Sequence, residues 1–87
     1  MILDNIIVYD LESRKTNNTN NYLFIFPNRQ ILEWYKRYLQ RKDIIYITER
    51  EIQNNGLVGL RYREWCFIDE RMTKSIINKR FPIMEVK

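Results

Sequence analysis

The sequence has no His, one Cys, two Gly and two Pro among 87 residues. Each scarcity excludes a chemistry. Without His there is no Ser-His-Asp or Cys-His nucleophile system and no His-based metal site. Cys66 alone builds neither a Cys-rich zinc site nor an internal disulfide. It sits in an apolar run, so it reads as a small core residue, and it has no base to activate it. Ser13 and Ser75, the only serines, have no evident activating partner. Gly56 and Gly59 form no phosphate-cradling G-x-x-x-x-G-K-[ST] loop, and no Gly-Lys pair occurs. No apolar run reaches the ~18 residues of a membrane span. The first ten residues carry two acids and no base, unlike a secretory leader. With a single Cys, the expected location is the cytoplasm.

What is present fits one small packed domain spanning residues 1–87. Apolar residues make up 45% of the chain and aromatic residues 14%, enough for a core and too many for a disordered chain. The net charge of +4 and pI near 9.4 mildly favour an acidic partner. Ala is absent while Ile and Asn abound. This composition reads as the codon bias of an AT-rich genome, such as that of a bacteriophage or another mobile element.

Hydrophobic patterning gives the order of elements. Ile6-Ile7-Val8-Tyr9 is a β-branched run that reads as a strand. Residues 11–21 are polar and Asn-rich and are expected to form a flexible loop. Tyr22–Phe26, apolar at every position, reads as a strand covered on both faces. Asn28 can cap a helix over Arg29–Arg41. Its apolar residues Ile31, Leu32, Trp34, Tyr35, Tyr38 and Leu39 span an arc of about 160° and are expected in the core. Ile44–Ile47 reads as a strand, and Thr48-Glu49-Arg50-Glu51 as a capping box opening a short helix that ends near Gly56. Trp65–Ile68 reads as a fourth strand. A last helix is expected from Glu70 to Lys79, burying Met72, Ile76 and Ile77, before a tail, Phe81–Val86, with a possible edge strand beginning at Pro82. The expected fold is α/β: a small sheet of about four strands, mostly parallel through right-handed crossovers, with two main helices and one short helix.

Two acidic pairs are the candidate catalytic groups. Asp69 and Glu70 follow an apolar strand, where α/β proteins gather functional residues. The stretch Gly59-Leu60-Arg61-Tyr62-Arg63-Glu64-Trp65-Cys66-Phe67-Ile68-Asp69-Glu70 resembles the Walker B strand of phage-type P-loop ATPases, including helicases and terminases. With Tyr22–Leu39 and Ile44–Glu51, the resemblance covers residues 22–70 and lacks the phosphate loop. It implies that Asp69 would hold Mg²⁺ and Glu70 orient the attacking water. The simpler reading is that Asp69 caps the last helix, with Glu70 in its first turn.

Asp10-Leu11-Glu12, read on a strand, resembles the opening motif of DEDD-type 3′–5′ exonucleases, whose carboxylates hold metal. Convergence of Asp10 and Glu12 with Asp69 and Glu70 would give a small metal-dependent nuclease, with Asp10, Glu12 and Asp69 as the metal ligands. The simpler reading is two solvated acids.

Basic residues interleave with aromatics in two places. Arg29, Lys36, Arg37, Arg41 and Lys42 lie on or beside the outer face of the helix. In Arg61-Tyr62-Arg63-Glu64-Trp65, strand alternation puts Arg61, Arg63 and Trp65 on one face. Such surfaces bind phosphates and stack bases.

The residues therefore favour a small non-catalytic accessory protein of a phage or mobile element, with no cofactor. It would bind nucleic acid or a host nucleic-acid-processing complex stoichiometrically, by analogy with anti-CRISPR inhibitors of host defence. A degenerate P-loop ATPase relative and the nuclease, the two readings that call for Mg²⁺, are the alternatives. A homo-oligomer is compatible with all three, and none involves a membrane.

Overall fold

A computed structural model describes residues 4–83. Three parallel strands form one sheet: β1 (Tyr22–Phe26), β2 (Ile44–Thr48) and β3 (Glu64–Phe67), in the order β2-β1-β3. Four helices accompany them: α1 (Asn5–Ser13), α2 (Arg29–Leu39), α3 (Glu49–Gln53) and α4 (Lys74–Arg80). The α/β class holds, with three strands among the described residues rather than four.

The missing strand is α1. Its Ile-rich run is helical because Asp4 caps it, Oδ1 accepting from Ile7 N–H at 2.8 Å, and because Ile7 and Leu11 fall on one face, four residues apart. Leu11 is fully buried, whereas Ile6 and Tyr9 are 81% and 76% exposed, so a β-branched run hid a helical period. Residues 11–13 of the expected loop belong to this helix.

β1 is buried at all five positions because it lies between two strands and two helical layers. Tyr22, Phe24 and Phe26 face α2 and α4, packing with Leu32, Tyr35, Leu39, Ile77 and Phe81. Leu23 and Ile25 face the other way, towards Leu11, Ile52, Leu57 and Tyr62. The β1–α2–β2 and β2–α3–β3 connections step in opposite directions along the sheet and cover opposite faces, so both have one hand, as right-handed crossovers require.

The helix ends follow their caps. Asn28 Oδ1 accepts from Ile31 N–H at 2.9 Å, and α2 stops at Gln40, which is left-handed at φ 52°. The capping box at Thr48 and Glu51 forms as the residues predict. α4 starts later than expected. Thr73, not Asp69, is its N-cap, and Asp69 instead accepts from Arg71 N–H at 2.9 Å in a local turn. Ile77 is buried and Met72 packs against the core, but Ile76 is exposed. The edge strand anticipated within Phe81–Val86 lies largely outside the described residues; Phe81 itself is core.

Two buried polar groups hold the layers together. Tyr62 Oη donates to Leu11 O at 2.7 Å, joining α1 to the segment before β3. Burial, reinforced by Asp10 and opposed by Arg14, pushes this phenol up to about 12. A phenol whose folded value lies above its unfolded one stabilises the fold below the ordinary tyrosine range and loses that contribution as pH rises through the folded value. Stability is therefore expected to fall between about pH 10 and 12. Tyr62→Phe should flatten that fall in urea titrations, while lowering stability at neutral pH by about 1–3 kcal/mol through the orphaned Leu11 carbonyl.

Arg41 is the second such group. It is only 8% exposed. Its Nε and Nη2 donate to the two Asp43 carboxylate oxygens at 2.9 and 2.5 Å, and Nη1 donates to Phe81 O at 2.7 Å and Asn78 Oδ1 at 3.2 Å. This guanidinium ties the turn before β2 to the end of α4. It is a structural staple, not part of a basic outer face. The helical period ends at Leu39, and residue 41 lies beyond the left-handed cap.

Candidate nucleic-acid interface

α2 has a wider apolar arc than it buries. The stripe Leu32, Tyr35 and Leu39 enters the core. Trp34 and Tyr38, one turn apart on the flank of that stripe, remain 53% and 37% exposed. Their rings stack at 4.7 Å between centroids, 28° from parallel. Trp34 also meets the buried Tyr35 edge-on at 4.9 Å.

The pair is held from below and from the side. Tyr35 Oη donates towards Asp69 O at 2.9 Å and Met72 O at 3.0 Å, fixing the turn that leads into α4. Burial, then the nearby Asp69 charge, raises the Tyr35 phenol above its ordinary range, so it stays a neutral donor. Lys74 N–H donates to Tyr38 Oη at 3.0 Å, which fixes the second ring against the start of α4. Tyr38 is therefore held at its hydroxyl, and Trp34 by the two rings beside it.

Arg37 shares a shallow recess with Trp34 and Tyr38. Among the described residues its side chain makes one long bond, Nε to Glu33 O at 3.4 Å, and has no carboxylate partner. A neighbouring recess is lined by Ile31, Trp34, Tyr35 and Glu70, which places one acid at the rim. Lys36 reaches over the Tyr46 ring at 5.9 Å. Arg29 stands 3.8 Å from both Glu33 and Glu51, so its charge is partly offset. Lys42 is exposed.

The second basic stretch does not extend this surface. Tyr62 and Trp65 both pack on the α1 and α3 side, so the expected alternation fails between Arg61 and Trp65. The ladder begins only at Glu64, and Arg63 N–H bonds Asn21 O at 2.8 Å just before it. The Arg63 guanidinium turns to the Asn-rich segment, Nε donating to Thr19 O at 3.3 Å and Nη2 to Asn20 Oδ1 at 3.4 Å. Arg61 is exposed beside Tyr62, whose own ring packs on the layer opposite α2.

The four carboxylates do not converge. On a helix, Asp10 and Glu12 diverge, being about 200° apart at ~100° per residue. Asp10 pairs with Arg14 at 2.9 Å. Glu12 accepts from Trp65 Nε1 at 2.8 Å and pairs with Lys15 at 3.4 Å, near the start of β3. Asp69 and Glu70 are exposed beyond the far end of that strand. Among the described residues, no group of three or more His, Cys, Asp or Glu side chains has a metal-holding arrangement. The geometric condition of the nuclease reading is therefore not met. Cys66 is buried, and burial raises its thiol above the ordinary range despite the opposing Arg80.

No helix among the described residues is long and apolar enough to cross a membrane. Comparison with protein-family models, curated proteins and solved structures found no match to this chain.

Proposed function

We propose that this chain is a non-catalytic accessory protein that binds single-stranded nucleic acid stoichiometrically, alone or within a host nucleoprotein complex. The observation that carries the reading is the exposed, stacked Trp34–Tyr38 pair with Arg37 beside it. Unpaired bases stack on such rings without sequence preference, and a neighbouring cation takes the phosphate. The phage origin suggested by the composition makes a host nucleic-acid-processing machine a natural target, and interference with host defence a natural outcome. The P-loop reading has weaker support, since Asp69 and Glu70 have no phosphate-gripping loop to act with.

The test is pull-down from a host lysate with and without nuclease treatment, paired with anisotropy of a labelled oligothymidine across a salt series. Nuclease-sensitive capture, and affinity falling steeply with salt, are expected. Arg37→Ala should reduce the salt slope by about one. Salt-insensitive, nuclease-resistant capture of a protein would overturn the nucleic-acid reading.

A further inference from the structure

Among the described residues, the stacked pair leaves one face of the Trp34 indole open. Tyr38, four residues on, covers the side towards the end of α2. Tyr35 does not cover the other side. It stands 4.9 Å from Trp34 and 6.1 Å from Tyr38, so it lies beside the stack and not across it. Ile31, three residues before Trp34, lies on the side opposite Tyr38. The recess there, of about 200 Å³, is lined by Ile31, Trp34, Tyr35 and Glu70. Ile31 is half-buried and Tyr35 fully buried, so the floor is apolar. The one charged group is Glu70, carried by the turn that Tyr35 Oη fixes through Asp69 O and Met72 O. Its side chain is exposed and, among the described residues, has no ion pair.

An acid beside a nucleic-acid platform repels phosphate, so Glu70 suits this surface only where the edge of a base meets it. Bases differ in what they offer a carboxylate. Guanine presents two adjacent donors, N1–H and N2–H, which match the two carboxylate oxygens. Adenine and cytosine present one amine beside a ring nitrogen that is itself an acceptor. Thymine and uracil present one N–H between two carbonyls. Each of these others sets an acceptor against the second carboxylate oxygen.

We propose that the recess is a guanine subsite: the base stacks on the open face of Trp34, and Glu70 accepts from its N1–H and N2–H. The subsite rests on the nucleic-acid reading above and adds a base preference to it. Stacking itself is sequence-tolerant, so the choice comes from the acid. Arg37 shares its recess with Trp34 and Tyr38, on the Tyr38 side of the stack, and remains the phosphate contact. The two charges thus divide one nucleotide strand between them, base edge at Glu70 and backbone at Arg37.

Competition anisotropy at fixed salt tests this. It compares oligothymidine with the same oligomer carrying one central guanine, or one hypoxanthine, which lacks the 2-amino group. Guanine is expected to tighten binding about fivefold, two charge-assisted bonds discounted for the exposure of Glu70. Hypoxanthine should fall between guanine and thymine. Glu70→Gln should remove the guanine advantage while oligothymidine binds no more weakly. Loss of a surface acid alone would tighten every oligomer, so a guanine-selective loss has the opposite sign. The hypoxanthine comparison needs no substitution and stays decisive if the variant folds poorly. Equal affinity for the guanine and thymine oligomers, or a guanine advantage that survives Glu70→Gln, would overturn the subsite. If Trp34→Ala still weakens oligothymidine in that case, the platform stands without the subsite. No binding of any oligomer would overturn both.

Discussion

Arg41→Met is expected to destabilise the domain by about 3–5 kcal/mol, because it leaves the Asp43 carboxylate half-buried without its counterion. It also removes the donor from the Phe81 and Asn78 oxygens. Small domains have only about 5–15 kcal/mol in total, so the variant should sit close to its unfolding transition at ambient temperature. Urea denaturation followed by circular dichroism measures the loss. Adding Asp43→Asn to Arg41→Met should recover part of it, since the orphaned charge is then gone. The same protein separates two roles for Arg41. As a staple it predicts unchanged oligonucleotide affinity per folded molecule; as a phosphate contact it would lower that affinity and the salt slope together. The first outcome is expected.

Trp34→Ala should produce the largest binding effect. Base–aromatic stacking contributes about 1–3 kcal/mol per base, which corresponds to about a 5- to 150-fold loss of oligonucleotide affinity. Trp34→Phe keeps a ring at the same place and should retain most of the affinity. Because Trp34 is more than half exposed, its removal should change the urea midpoint little. An affinity equal to wild type in Trp34→Ala would sink the platform reading directly. Tyr38→Phe serves as the finer probe: it keeps the stack but releases Lys74 N–H, so a modest loss reports the value of holding the ring in place.

Much of the fold was legible because local signals and tertiary packing agree. β1 is apolar throughout and is central; Asn28 and Thr48 are caps and act as caps. Where they disagree, packing decides. Ile6–Tyr9 has strand-like residues, but Asp4 and the Ile7–Leu11 spacing outweigh them. The start of α4 is hidden in the sequence because an acidic residue after a strand resembles a cap, while the true cap, Thr73, sits behind a turn held by Tyr35.

The candidate interface was half legible. The basic side of α2 follows from periodicity, but the same periodicity puts all three aromatics in the core, where only Tyr35 is buried. An arc of about 160° is wider than the ~100° stripe that a core-facing helix needs, and the surplus is Trp34 and Tyr38. That width was the available signal. The burial of Arg41 had no such signal, since its carboxylate partner is two residues away but its other acceptors come from α4. The scatter of the four carboxylates also could not be read without knowing that Asp10 and Glu12 lie on a helix.

The strand order carries a consequence for synthesis. Of the three described strands β1 is made first, and both later ones flank it. A nascent chain that has released Tyr22–Phe26 from the ribosome exposes five consecutive apolar residues with two bare edges until residues 44–48 follow. Such a segment is prone to aggregate while it waits. Pro27 and Arg29 directly after it fit the gatekeeper pattern, and α2 is the next element in sequence that packs on it. Slowing translation within residues 27–43 should therefore cost more soluble yield than slowing it after residue 68.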